Sequence, residues 1–464
     1  MNFFFNPDGI AVIGATDNPF KGGYHILNNI LGGYKGRVYP VNPKYDSILG
    51  LPCYPDIRSI PDDFDLAVYF IPATFLPDAI EQCGSKKVKG IIIESAGFAE
   101  VGNEGAELQE ECIRLAKKHH IRLWGPNCMG LLDGHTRNVF SFMYTDEWKT
   151  LMTPGNASFV VQSGMLSASF LMMMLERGGM NISKMCSIGN KCDVNETELV
   201  DYLASDPHTD VIGLYLESIV DPRRFIEISR STDKPIIVLK GGRSPSGAKA
   251  AMSHTASLAG NDTITSNALK QAGVITVHDF IEMMDFMRGF SMTKGSRNSG
   301  GTAIVSFSGG GGIVTTDFLH DSNLPLARLS GETLSAIKKV FPPWMEPANP
   351  VDVWPAVERN GIETVYNAVV DALMHDDNVD SLIIHLFSGR MDTEMLKPLA
   401  EMKDRFEKPV IAWLIGTGDR FRIIRKEMEE MGIPVFEEMG RGVSFLNAVK
   451  KHYDRKGRVH QRTP

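Results

Sequence analysis

No apolar run in this sequence approaches the ~18 residues a helix needs to cross a bilayer. Its first residues, MNFFFNPDGIAVIG, carry neither a basic start nor a small-residue cleavage pattern. A membrane anchor and an export signal are therefore not expected; a cytoplasmic protein is. The six cysteines (Cys53, Cys83, Cys112, Cys128, Cys186, Cys192) lie far apart with no CxxC pair, which argues against a zinc site and a disulfide framework and for reduced, mostly buried thiols. The twelve histidines show no HxxxH, HxH or HExxH spacing, so no metal site is expected. Strong basicity is missing as well: a formal net charge of -8 disfavours nucleic acid as a partner. A small anionic ligand stays open, because backbone amides and a few local cations suffice to hold one.

What is present is apolar material for several cores. At 464 residues and 43% hydrophobic, with ~100 to 200 residues per domain, three domains are predicted. Short apolar runs alternate with longer helical patterns, the signature of parallel sheets covered by helices. The predicted fold class is α/β, as three consecutive parallel-sheet domains: a Rossmann-like domain at 1–135 and two flavodoxin-like domains at 150–292 and 301–455. The first draws on GIAVIG, RVYPVN, DLAVYFIP, GIIIES and RLWGP. The second draws on ASFVVQSG, KMCSIGN, VIGLYLES and PIIVLKGG, and the third, after the polar linker TKGSRNSGG, on TAIVSFSGGGG, SLIIHLF and PVIAWLIG.

The first strand runs into AVIGATDNPFKGGYHIL, where GxGxxG is absent: after Gly14 the next glycines are Gly22 and Gly23. The longer, polar turn offers Thr16, Asn18 and Lys21 to a phosphate near a helix N-terminus, or it is simply a structural turn. The second strand ends in PVNPK, and Asn42 and Lys44 suit a phosphate better than a nicotinamide ribose. QSGMLSAS and SFSGGGGIVTTD each turn tightly out of a buried strand through small residues, so that the first free N–H groups of the next helix point outward together. Two such helix N-termini can hold a phosphoryl group without a lysine.

Between them lies KGGRSPSGAKAAMSHTASLAG, nearly without bulk, with His254 near its middle. A nucleophilic imidazole needs one ring N–H held and the other lone pair free. Glu217, ending the strand VIGLYLES, is the best-placed carboxylate in that domain, because such sheets build sites at their carboxyl edges.

Taken in order, VIGATDNPFKGG, VNPK, IIIESAGFAEVG, GPNCMG, VQSGMLS, LYLES, the His254 stretch, SFSGGGG and NPVDVWP resemble the alpha subunit of the ADP-forming (NDP-forming) acyl-CoA synthetases, in the succinyl-CoA synthetase superfamily. The resemblance implies a CoA-binding first domain and two ligase-CoA domains. It also implies the reaction acyl-CoA + ADP + phosphate ⇌ carboxylic acid + ATP + CoA, through an acyl phosphate and a phosphohistidine. His254 would carry the phosphoryl group and Glu217 orient it. Ser163, Gly164 and Met165 of one turn and Ser308, Gly310, Gly311 and Gly312 of the other would hold phosphate, with Asn127 near the thioester. CoA would be contacted by Gly14, Ala15, Thr16, Asn18, Lys21 and Gly22, by Asn42, Pro43 and Lys44, by Pro72 and Ala73, and by Ser95, Ala96 and Gly97. No ATP-grasp segment follows the third domain within these residues, so ADP/ATP and Mg2+ are expected on a separate ATP-grasp beta subunit, in an α2β2 hetero-oligomer. Two other readings compete: a CoA-binding regulatory or scaffold protein of the same fold without turnover, and a nicotinamide oxidoreductase.

Overall fold

The computed structural model describes residues 1–144, 153–255, 262–293, 295, 300–390 and 396–460, with the side chains of 252–255, 390 and 456–460 outside the description. The chain divides into two compact units, Met1–Met283 and Met284–Pro464. Each is built on parallel sheets whose strands are apolar runs buried on both faces, as expected where helices cover a sheet on either side.

The first unit holds two sheets. In one, Arg37–Val41, Gly9–Ile13, Leu66–Tyr69, Gly90–Ile93 and Arg122–Trp124 lie side by side in that order, all parallel. In the other the order is Ile275–Val277, Ile236–Lys240, Val211–Leu216, Pro154–Val161 and Ile182–Ser187, again all parallel. The second unit repeats the arrangement with Val351–Asp352, Gly301–Ser306, Val379–Phe387, Val410–Ile415 and Val435–Phe436. Numbered along the chain, each parallel set reads 2-1-3-4-5. The winding direction reverses at the first strand, so a crevice opens beyond that strand's carboxyl end. The three small-residue turns, at Gly14, Ser163 and Ser308, each follow such a first strand directly. This shared topology is the internal repeat that QSGMLSAS and SFSGGGGIVTTD display only faintly.

One feature departs from a simple run of domains. Leu131–Asp133 and Val139–Phe140 form a hairpin, and Leu131–Asp133 pairs antiparallel with Ile182–Ser187, so this hairpin extends the second sheet. The boundary expected at residue 135 falls in its loop. The strands are two and three residues long, too short for a periodicity to mark them. Trp124, ending the first sheet, donates its indole N–H to the Ser187 carbonyl at 2.7 Å, and one apolar core runs from Phe4 and Trp124 through Leu131 to Val160 and Cys186. The second unit has a core of its own around Val305, Val351, Ile384 and Ala412. Among the described residues no helix is long and apolar enough to cross a membrane.

Candidate active site

A cavity of about 760 Å³ opens at the carboxyl edge of the first sheet, beyond its first, second and third strands. Gly14, Thr16, Lys21 and Gly22 line it, with Asn42, Pro43 and Lys44 from the second strand end and Pro72 from the third. Gly14 is at φ +92, and a Cβ there would lie 2.6 Å from the Phe70 carbonyl oxygen. At Gly23 a Cβ would lie 2.1 Å from the Gly14 oxygen. The helix Gly22–Gly33 therefore starts hard against the first strand's end, and Lys21 precedes it without a side-chain cap. Its leading N–H groups open at this edge, where Lys21 and Lys44 line the cavity together with Asp56 and Asp78.

Asn42 both lines and braces this cavity, while Asn18, Ala73, Ser95, Ala96 and Gly97 stand outside its lining. The Asn42 amide donates to the Ala15 carbonyl at 2.8 Å, and its oxygen accepts from the Lys44 N–H at 3.0 Å. Asn18 accepts from the Phe20 N–H at 3.0 Å, tying the long turn to itself. Ala73 is buried at the head of a 3-10 turn, and Gly97 approaches it so closely that a Cβ would lie 3.1 Å from the Ala73 methyl. The Ser95 hydroxyl donates to the Ile71 carbonyl at 2.7 Å, while Ala96 is exposed. Tyr45, bonded through its hydroxyl to Thr16 at 3.0 Å, and Phe75 line the cavity although no motif marks them.

From this edge a loop leads into the second sheet. The Asn127 N–H donates to the Ser95 carbonyl at 3.0 Å, and the Met129 N–H to the Ser187 hydroxyl at 3.0 Å. Met129 also flanks the next turn, since a Cβ on Gly164 would stand 3.1 Å from its Cγ. The GPNCMG segment thus runs from the loops at the carboxyl edge of the first sheet to the first strand end of the second sheet.

There, Ser163 precedes the helix Gly164–Arg177 and makes no side-chain capping bond, leaving the first helical N–H groups uncapped by it. Met165, in the first turn, is 71% exposed. Gln162 is buried, and its oxygen accepts from the Glu217 N–H at 2.8 Å and the Ser218 N–H at 3.3 Å. That bond stitches the Ser163 turn to the third strand's end, where Glu217 is itself buried. Tyr215 donates a hydrogen bond to the Glu217 carboxylate; burial, then the Glu217 charge and this bond, push the phenol up to about 12. It therefore stays a donor at neutral pH. Lys191, buried, donates to Ser218 at 2.9 and 3.1 Å and pairs with Glu196 at 3.0 Å. His254 falls in the last turn of the helix Pro245–Thr255, and its side chain lies outside the described residues. The sequence motifs pointed to Ser163, Glu217 and His254; Gln162 and Tyr215 lay inside VQSGMLS and LYLES without being singled out, and Lys191, just past KMCSIGN, was not marked.

In the second unit, Ser308 caps the helix Gly309–Asp321 by accepting from the Gly311 N–H at 3.4 Å. Asp352 crowds this turn: a Cβ on Gly309 would lie 3.1 Å from its Oδ2. Its field is thus less purely positive than its glycines suggest. Beneath it sits His385, fully buried, 2.9 Å from the Ser306 hydroxyl through Nδ1 and 3.2 Å from the Thr315 hydroxyl through Nε2. Ser306 donates to the Ser308 carbonyl at 2.7 Å and Thr315 to the Gly311 carbonyl at 2.8 Å, so each hydroxyl oxygen faces the ring with a lone pair to offer. Burial lowers the His385 pKa to about 4, against ~6.5 in an unfolded chain. The unfolded state binds the extra proton between these values, so stability falls as pH drops from about 6.5 to about 4, by about 3 kcal/mol in all. Urea unfolding read by hydrogen exchange in Val379–Phe387 should show this loss, and His385→Asn should flatten its pH dependence. Equal slopes in the two proteins would refute the assignment.

Residues 8–133 match the CoA binding domain family, and residues 154–290 match the family described as succinyl-CoA ligase like flavodoxin domain. The chain is 35% identical over 449 residues to the ADP-forming acetate–CoA ligase II subunit alpha of Pyrococcus furiosus, covering 94% of each chain. It is 36% identical over 461 residues to the ADP-forming acetate–CoA ligase II of Archaeoglobus fulgidus, covering 97% of this chain and 67% of that protein. The solved structure of dinucleotide-forming acetyl-coenzyme A synthetase 1 of Ca. Korarchaeum cryptofilum, in complex with phosphate and ADP, superposes with a TM-score of 0.89 at 31% identity, over 100% of this chain and 99% of that one. Fold and relatives together define an acid–thiol ligase that binds CoA. The chain belongs to the ADP-forming acyl-CoA synthetase family, within the succinyl-CoA synthetase superfamily, and matches its alpha subunits in extent.

Proposed function

We propose that this chain is the alpha subunit of an enzyme interconverting acyl-CoA, ADP and phosphate with a carboxylic acid, CoA and ATP, its phosphoryl group passing over His254. The observation that carries this reading is a continuous path inside Met1–Met283. A glycine-cradled anion cavity, the Asn127–Met129 loop, the Ser163 turn and the buried Glu217 follow one another along adjoining strand ends.

The cavity fits CoA as a substrate: a helix N-terminus and two lysines meet its phosphates, and apolar walls from Phe70 and Phe75 meet its uncharged portion. Phosphate then attacks the thioester carbonyl, the C–S bond breaks, CoA leaves as thiolate and an acyl phosphate remains. The uncapped amides after Ser163 and the Asn127 amide stabilise the charge on this intermediate. An imidazole nitrogen of His254 attacks phosphorus and the P–O bond to the acyl group breaks, releasing the carboxylate. Glu217 holds the other ring N–H, so that the attacking nitrogen keeps its lone pair. A β-phosphate oxygen of ADP finally attacks the phosphohistidine, forming ATP and restoring the neutral imidazole. In this reading nucleotide and Mg2+ bind an ATP-grasp beta subunit in an α2β2 assembly.

The test combines the chain with its beta subunit, Mg2+ and ATP labelled on the γ-phosphate, next to CoA calorimetry. Acid-labile, base-stable label on His254 supports the reading. CoA binding without any label would leave the regulatory version instead, and an NADH titration signal without CoA binding would leave the oxidoreductase. Within this assay, Glu217→Gln should slow His254 phosphorylation by about 10²-fold at unchanged CoA affinity. Glutamine still accepts the Tyr215 hydrogen bond, so the variant isolates the charge; wild-type rates would remove Glu217 from the mechanism.

A further inference from the structure

We infer that Lys240 is the positioning residue that pins the base of the His254 segment to the Glu217 strand end; the inference rests on the reading of His254 as phosphoryl carrier. Lys240 ends the strand Ile236–Lys240 and lies opposite Leu216 in register. The sheet ladder closes one residue later, where the Gly241 N–H donates to the Leu216 carbonyl at 2.8 Å. Among the described residues the backbone offers no further bond between the two strands beyond that point, and the lysine side chain replaces it. Its Nζ donates to the Glu217 carbonyl at 2.6 Å and to the Gly241 carbonyl at 2.5 Å. One ammonium thus bridges the residue carrying the candidate orienting carboxylate and the first residue of the excursion that carries the histidine.

The surroundings leave this role to Lys240. Gly241 cannot bear a side chain of its own, because a Cβ would lie 2.9 Å from the Tyr215 hydroxyl. Gly242 then turns at φ +70, Ser244 accepts from the Gly247 N–H at 3.0 Å, and the helix Pro245–Thr255 folds back so that Ala251 stands over Gly242. At the far end of the excursion Asp262 opens the helix Asp262–Ala272. The charges of Asp262 and Glu217 both act on Lys240, holding up an ammonium that burial pulls below the ordinary lysine range. An ammonium has three donors and no acceptor, so it can hold two carbonyls at once, and charge strengthens each bond. With the base fixed, the helix leaves the sheet in one direction, and the reach of His254 toward Glu217 is set by chain length. With the base free, the productive geometry is one of several, and phosphoryl transfer slows in proportion to its population. CoA binding, built on the other sheet, is unaffected.

The experiment uses the full chain with its beta subunit and compares wild type, Lys240→Met and Lys240→Arg. Expected are a fall of tenfold or more in the rate of His254 phosphorylation in Lys240→Met, partial recovery in Lys240→Arg, and a CoA Kd within twofold throughout. In parallel, backbone amides at 241–251 and 262–266 should exchange at least fivefold faster in Lys240→Met, with Gly9–Ile13 and Leu66–Tyr69 unchanged. Should Lys240→Met fail to fold, Lys240→Gln takes its place. Wild-type labelling rates together with wild-type exchange in the methionine variant would overturn the inference. Absence of label in wild type would count against the phosphohistidine reading alone, and the exchange result would still decide whether Lys240 holds the segment.

Discussion

Replacing His254 with alanine is expected to abolish acid-labile phosphoenzyme and to lower turnover by at least about 10³-fold, with CoA affinity within twofold of wild type. The effect is large because the imidazole is the covalent acceptor: without it the phosphoryl group of an acyl phosphate has no route to a nucleotide bound elsewhere. Fold is not the confounding factor. His254 sits late in a helix of small residues, PSGAKAAMSHT, where alanine is the best helix former available. Peptide mapping of label after alkaline workup is the deciding measurement. Label retained in the variant would move the phosphorylated residue elsewhere in the chain.

Gly14→Ala should raise the CoA Kd by about 100-fold. Two penalties coincide at this position. An L-residue at φ +92 costs roughly 1–2 kcal/mol, and the new methyl would meet the Phe70 carbonyl oxygen and the Ile71 side chain, each at 2.6 Å, an overpacking cost of about 1–3 kcal/mol. Together roughly 3 kcal/mol, or about two powers of ten in affinity, falls on the turn that aims the Gly22–Gly33 helix at the cavity. Gly50→Ala separates the two penalties: Gly50 shares a positive φ of +81, meets nothing within 4 Å and does not line the cavity. That variant should bind CoA as wild type does. Calorimetry on both decides, and unaltered affinity in Gly14→Ala would show that CoA does not use this turn.

The candidate site divides unevenly between what periodicity reveals and what it hides. Gly14, Ser163 and Ser308 were readable because an apolar strand broken by small residues announces a tight strand-to-helix turn. That all three follow the first strand of a 2-1-3-4-5 sheet was not readable, since strand order depends on which side each crossover takes. Asn42, read as suited to a phosphate, lines the cavity and also donates from its amide to the Ala15 carbonyl; only the folded second strand brings those groups within reach. His385 passed unremarked in SLIIHLF and proves to be a buried neutral brace between Ser306 and Thr315.

The sequence by itself determined the α/β class, the succession of strand-ending turns and the His254 stretch. Each rests on local chemistry: alternating apolar runs, glycine's freedom at positive φ, and a histidine among residues too small to bury it. Only the tertiary structure decided which side chains face one another at those turns. Gln162 reaches Glu217 across 55 residues and Lys240 reaches it across 23, and such pairings follow from sheet order and register, which no short window of sequence contains.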